Sequence, residues 1–272
     1  MNRNTTYIMP LLGLLAGCAS ATINLPTQQA PLVTATLPIV STLTLTSAPL
    51  ATDIVSSTPS CNDVQKRNLK IMPLGDSITY GTGDLSYGGY RNLLGVLLTT
   101  DGYSIDFVGS QKNGDGVIPD PDNEGHPGWR ISNIKQGIDS ENWLETYQPD
   151  IILLHIGSND LRSGNQVYVH DSLSVLLDDI LARLPKTYII VAQIIPTRWG
   201  ADSNNHLYND AIPSIVAAKG ARVSIADMRN ILSKKDFLTL YHPNAGGYDK
   251  MAHAWESAIL ALGIPGGCLI SR

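Results

Sequence analysis

The chain has 272 residues, of which 43% are hydrophobic and 16% charged, with 19 Lys+Arg against 24 Asp+Glu for a formal net charge of -5. No basic cluster is present to displace counterions from nucleic acid or an anionic membrane surface, so nucleic acid is excluded as the expected partner. Three cysteines are too few for a disulfide scaffold, and no Cys or His spacing fits a zinc ribbon, a finger or an H-E-x-x-H helix. The fold must therefore stand on its core, and no metal or other cofactor is expected.

In chain order, residues 1–60 carry only Arg3 and Asp53 as charges. The apolar run Ile8 to Gly17 is too short for a hydrocarbon layer that needs about 20 residues, but it suits the core of an export signal. It ends in Leu15-Ala16-Gly17-Cys18, which resembles the lipobox of bacterial lipoproteins. That resemblance implies residues 1–18 as a signal peptide, lipid on Cys18 and a membrane anchor at the cell surface. Plain cleavage after Ala19-Ser20-Ala21 would instead yield a secreted protein. Residues 19–60, rich in Thr, Ser and Pro, read as a disordered tether, because they bury too little surface to offset ordering entropy. Export then predicts that Cys61 and Cys268 form a disulfide tying the two ends of the folded part, residues 61–272.

Within that part, Leu69 to Leu74, Ile105 to Gly109, Ile151 to Ile156, Tyr188 to Ile195 and Ala221 to Ile225 are apolar runs of strand length with little polar alternation. Such runs suit strands covered on both faces. Helical patterns alternate with them at Tyr90 to Thr99, Asp171 to Leu184, Leu207 to Ala218 and Gly247 to Leu262. The order predicts a three-layer α/β/α sandwich on a five-stranded, parallel, flavodoxin-like sheet, with its ligand site beyond the carboxyl ends of the strands. The Gly, Asp and Pro-rich stretch Ser110 to Trp129 reads as a functional loop.

The first strand runs into Gly75-Asp76-Ser77, the second ends at Gly109-Ser110, the third at Gly157-Ser158-Asn159-Asp160, and His242-Pro243-Asn244 precedes the last helix. These four blocks, in this order, resemble those of the SGNH, or GDSL, hydrolases over residues 68 to 265. The resemblance implies Ser77 as nucleophile, His242 as its base, and an oxyanion hole made of the Ser77 and Gly109 amides with the Asn159 side chain. Three further segments narrow it: Gly88-Gly89-Tyr90-Arg91, Glu124 to Arg130, and Gln193 to Trp199. With them the chain is similar to carbohydrate esterase family 3, whose members deacetylate xylan. That similarity implies an acetylated polysaccharide or oligosaccharide as substrate. Around a sugar-binding cleft, His126, Trp129, Arg130, Trp199 and Tyr241 are the expected contacts, although aromatic residues serve equally well as core.

One position departs from the family pattern. The acid three residues before the histidine is Thr239 here. Three groups could orient the imidazole instead: a backbone carbonyl, which we favour, the Thr239 hydroxyl, or Asp236, whose more natural place is the solvated surface. Two other readings stay open. One is the same chemistry on a lipid or another small acyl ester. The other is a carbohydrate-binding surface protein whose activity was lost with the acid at 239.

Overall fold

The computed structural model describes residues 68–114, 116–163 and 168–264. The signal peptide, Cys18, the tether and the Cys61 and Cys268 pairing lie outside them. The strands are β1 (Leu69–Gly75), β2 (Ile105–Phe107), β3 (Gln111–Lys112), β4 (Asp122–Gly125), β5 (Ile151–His155), β6 (Tyr188–Ala192) and β7 (Val223–Ala226). The helices are α1 (Ser77–Tyr80), α2 (Tyr90–Thr100), α3 (Ile131–Glu141), α4 (Trp143–Tyr147), α5 (Ser158–Arg162), α6 (Val169–Arg183), α7 (Ser203–Ala217) and α8 (Ala245–Leu260).

All five apolar runs become parallel strands, in the spatial order β2-β1-β5-β6-β7. This is the expected doubly wound, flavodoxin-like order, whose chain direction switches between β1 and β5. Two layers of helix cover the sheet. Met72, Leu74, Ile152, Leu154, Ile189 and Val191 face α3, α4, α6 and α7, whereas Ile71, Ile151, Leu153 and Ile190 face α2 and α8. The alternation follows from the strand period of two: neighbouring residues of a run with no polar position must feed opposite cores.

The sheet is larger than expected. Part of the stretch taken as loop forms β4, which pairs parallel with the end of β1 (Leu74 with Glu124, Gly75 with Gly125), and β3 pairs antiparallel with β4. The sequence Asp122-Asn123-Glu124-Gly125 has turn composition, and only its distant partner makes it a strand. Glu124 is fully buried there because Ser110 donates to it through both its amide and its hydroxyl at 2.7 Å, and His126 Nε2 lies 2.6 Å away.

Candidate active site

Ser77 is placed by the sheet. Gly75 ends β1 so close to β5 that a Cβ would sit 2.2 Å from the His155 carbonyl oxygen, so only glycine lets the strand leave here. Asp76 then caps α1, accepting from the Ile78 amide at 3.0 Å. Ser77 becomes the first residue of that helix, where a backbone N–H has no intrahelical acceptor. Asp76 is itself buried, which pushes its carboxyl up to about 7, against the pull of the Ile78 amide and the Arg162 charge.

His242 arrives from the opposite side. A 3-10 turn, Lys234–Asp236, starts a loop closed by the Phe237 to Pro243 bridge and ended by Asn244, which caps α8 by accepting from the Gly247 amide at 3.0 Å. In this loop His242 Nε2 lies 2.9 Å from Ser77 Oγ, across 165 residues of sequence. Burial, then the Arg162 guanidinium, hold the imidazole below its ordinary pKa. Its other nitrogen, Nδ1, is 3.1 Å from Thr239 Oγ1, so the hydroxyl stands where a backbone carbonyl was expected. Asp236 is not the orienter. Its carboxylate is buried and accepts from the Ser233 amide, the Ser233 hydroxyl and Lys250 Nζ, each at 2.7 Å. Burial pushes that carboxyl up, but Lys250 and Ser233 outweigh it and bring it down to about 2.

Asn159 is buried in α5, just past β5. Its Nδ2 donates to the Trp129 carbonyl at 2.8 Å and, at a longer 3.3 Å, to Asp76 Oδ2, while its Oδ1 accepts from Arg162 Nη2 at 2.6 Å. The three groups meet at a cleft of about 270 Å³ lined by Ser77, Asn159 and His242 together with Leu161, Ile195, Pro196, Trp199 and Tyr241. Gly109 is not part of that lining. It follows β2, and a Cβ there would fall 2.1 Å from the Asn123 carbonyl oxygen, so β4 presses against its α-carbon. A hydroxyl within reach of an imidazole, beside a carboxamide, is the equipment of nucleophilic acyl transfer.

Residues 74–250 match the model of the GDSL-like lipase/acylhydrolase family. The chain belongs to that family. This GDSL esterase is 33% identical over 244 residues to a multidomain esterase of Ruminococcus flavefaciens, a match covering 79% of the chain and 32% of that protein. It is 32% identical over 120 residues to a putative endoglucanase X of Acetivibrio thermocellus, covering 42% of the chain and 51% of that protein. The chain thus spans about a third and about half of these two relatives. Among solved structures, a Clostridium thermocellum family 3 carbohydrate esterase is similar at 38% identity and a TM-score of 0.65, over 72% of this chain and 97% of that one. A family 3 carbohydrate esterase from Talaromyces cellulolyticus follows at 30% identity and 0.57, over 71% and 97%. The matched region is an ester hydrolase domain of SGNH type, close to carbohydrate esterase family 3.

The residues expected as sugar contacts do not all reach the cleft. Trp199, 71% exposed, and Tyr241 do line the cleft. His126, Trp129 and Arg130 do not. The His126 ring is stacked 3.9 Å from that of Trp129 and 5.0 Å from that of Trp143, so packing beside the buried Glu124 claims both residues. Arg130 starts α3, where its backbone and Asn133 cap each other, and its charge lowers the Asp160 carboxyl that burial raises. His155 is buried with neither ring nitrogen partnered among the described residues, and burial lowers its pKa to about 4. The residue that sequence reasoning missed is Arg162, which lines the cleft with its guanidinium 4.1 Å over the Tyr241 ring. Its spacing was the available signal, because a residue three after Asn159 on a helix shares its face.

Proposed function

We infer that this esterase is exported and removes acetyl groups from a polysaccharide of xylan type through an acyl-enzyme on Ser77. The observation that carries the reading is the 2.9 Å approach of His242 Nε2 to Ser77 Oγ in a cleft at the carboxyl end of the sheet. His242 takes the hydroxyl proton as Ser77 Oγ attacks the ester carbonyl. The resulting oxyanion is met by the Ser77 amide and by Asn159 Nδ2, whose longer bond to Asp76 is the one released to it. The bond to the sugar oxygen then breaks as His242 returns the proton to that oxygen. Water, losing a proton to His242, next attacks acetyl-Ser77, and as the acyl bond breaks His242 passes that proton to Ser77 Oγ and acetate departs.

A base needs its lone pair on Nε2, hence a proton on Nδ1. Thr239 Oγ1 already accepts from the amides of Tyr241 at 3.3 Å and His242 at 3.0 Å, which uses both acceptor sites of a hydroxyl and leaves its proton facing Nδ1. To accept from Nδ1–H, Thr239 gives up its longer contact with Tyr241. A carboxylate would accept without that exchange, so Thr239 supports a Ser-His pair with a weaker orienter.

The small cleft, its exposed aromatic rim and the carbohydrate esterase relatives support a short acyl group on a sugar. The apolar run ending at Cys18 supports export with a lipid anchor, which mass spectrometry of the mature N-terminus tests. The reaction is tested with the residue 61–272 protein and Ser77→Ala on a chromogenic acetyl ester and on acetylated xylan. The expected result is release of acetate from both substrates by the first protein alone. Equal turnover by the two proteins would remove Ser77 from the mechanism.

A further inference from the structure

Arg162 carries positive charge into the cleft, and among the described residues no carboxylate pairs with it. Two other groups hold it. Its Nη2 donates to Asn159 Oδ1 at 2.6 Å, and its guanidinium carbon lies 4.1 Å over the ring of Tyr241, the residue that precedes His242. Arginine has donors only, so the bond dictates which end of the Asn159 carboxamide faces it. Oδ1 is turned to Arg162 and Nδ2 toward Trp129 and Asp76. A charge-assisted bond at the carbonyl end also polarises the amide, which makes Nδ2 a stronger donor. On the other side, the stack ties α5 to the loop that carries the imidazole.

We propose that Arg162 is a positioning residue for ester cleavage: one guanidinium, bonded to Asn159 and laid on Tyr241, holds the oxyanion donor and the base in register across the cleft. This rests on the Ser77 and His242 reading above. The charge acts on the base as well, since Arg162 disfavours protonated His242. The polar and charged groups that share the cleft with that imidazole are Ser77 and Asp76 from the turn after β1, Arg162 from α5, Asp202 at the start of α7, and Thr239 and Tyr241 in its own loop. Asp202 turns its carboxylate to the Asn205 amide, whereas Arg162 lowers the Asp76 carboxyl as it lowers His242, so removing the guanidinium moves the titrations of His242 and Asp76 upward.

The test is the steady-state kinetics of Arg162→Met and Arg162→Lys on a soluble acetyl ester across pH, with Ser77→Ala alongside. Arg162→Met is expected to lose about 10- to 100-fold in kcat, the scale of a small misplacement of catalytic groups, with KM nearly unchanged. The acid limb of kcat/KM should also move to higher pH. Arg162→Lys should keep the limb near its wild-type position without restoring kcat, because an ammonium has the charge but not the planar fork. Tyr241→Leu removes the platform from the other side and should cost about threefold in kcat, the scale of one exposed cation–π contact; it serves as the test if Arg162→Met does not fold. Wild-type kcat in both Arg162→Met and Tyr241→Leu, or a lowered kcat with an unmoved acid limb in Arg162→Met, overturns the proposal. If Ser77→Ala is inactive while these variants match wild type, only the role of Arg162 fails. If Ser77→Ala is fully active, the acyl-enzyme reading fails first.

Discussion

Ser77 and His242 face each other across the cleft, yet they are held in different ways. Ser77 leaves a strand that is hydrogen-bonded to β5 on one edge and to β2 and β4 on the other, on a turn whose Gly75 and Asp76 are both buried. Its place is fixed by the same packing that makes the sheet. His242 sits in a loop between a 3-10 turn and α8, flanked by the partly exposed Leu240 and Tyr241. Its backbone is set locally, the Leu238 and Thr239 amides donating to its carbonyl at 3.0 and 3.3 Å. The ring's tautomer depends on one hydroxyl. The proposed nucleophile is therefore insured by the fold, whereas the proposed base is not, and substitutions on the two sides should fail differently.

The largest effect belongs to the sheet side. Asn159→Ala removes a donor that α5 holds rigidly, and kcat on a chromogenic acetyl ester should fall about 10²- to 10³-fold with KM little changed. A loss of only a few fold would mean that Asn159 keeps its bond to Asp76 during the reaction. On the loop side the effects should be smaller and should run in both directions. Thr239→Val should cost about tenfold in kcat, part of what a positioned general base supplies. Thr239→Asp should gain about as much, because a carboxylate only accepts from Nδ1–H. In the parent protein, burial and Arg162 lower the pKa of His242, so the acid limb of kcat/KM should fall below the ordinary histidine value of about 6.5. Thr239→Asp should raise it. If Thr239→Asp is slower than the parent and its limb does not move, the hydroxyl is not what orients the ring.

The smallest catalytic effect is expected at Asp236, which supports the loop without touching the imidazole. Asp236→Ala leaves the Ser233 amide and hydroxyl without their carboxylate and should cost about 1–3 kcal/mol of stability at neutral pH. The folded pKa of about 2 lies below the ordinary aspartate value, so this contribution is present above about pH 4 and fades as pH falls through about 2. Denaturant unfolding at pH 7 and pH 2 measures the difference. A collapse of kcat in a folded Asp236→Ala protein would restore Asp236 as the orienter.

The same contrast explains what could be read in the sequence. Runs such as Ile151 to His155 announce a buried parallel strand by themselves, and because a doubly wound sheet places its cleft past such strands, the positions of Ser77 and Asn159 on that cleft were legible. His242 was legible from its His-Pro-Asn setting before a helix. Features made by distant partners were not. Asp122 to Gly125 is a strand only because β1 is beside it, and α5 is too short for a period to show. For Trp129 the sequence left sugar contact and packing equally open, and its stacking with His126 and Trp143 is set by chain segments that only the fold brings together. For Arg162 the sequence offered only its spacing from Asn159, since its two partners, an amide oxygen and a tyrosine ring, come together only in the folded cleft.

The most direct measurement is to quench the protein during turnover of an acetyl ester and to identify by mass spectrometry which residue is acylated. An acetyl group on the peptide containing Ser77, present in the parent protein and in Thr239→Val but absent from His242→Ala, is the predicted result. Continued turnover with no acetylated Ser77, or equal acetylation of that peptide without His242, would contradict the account.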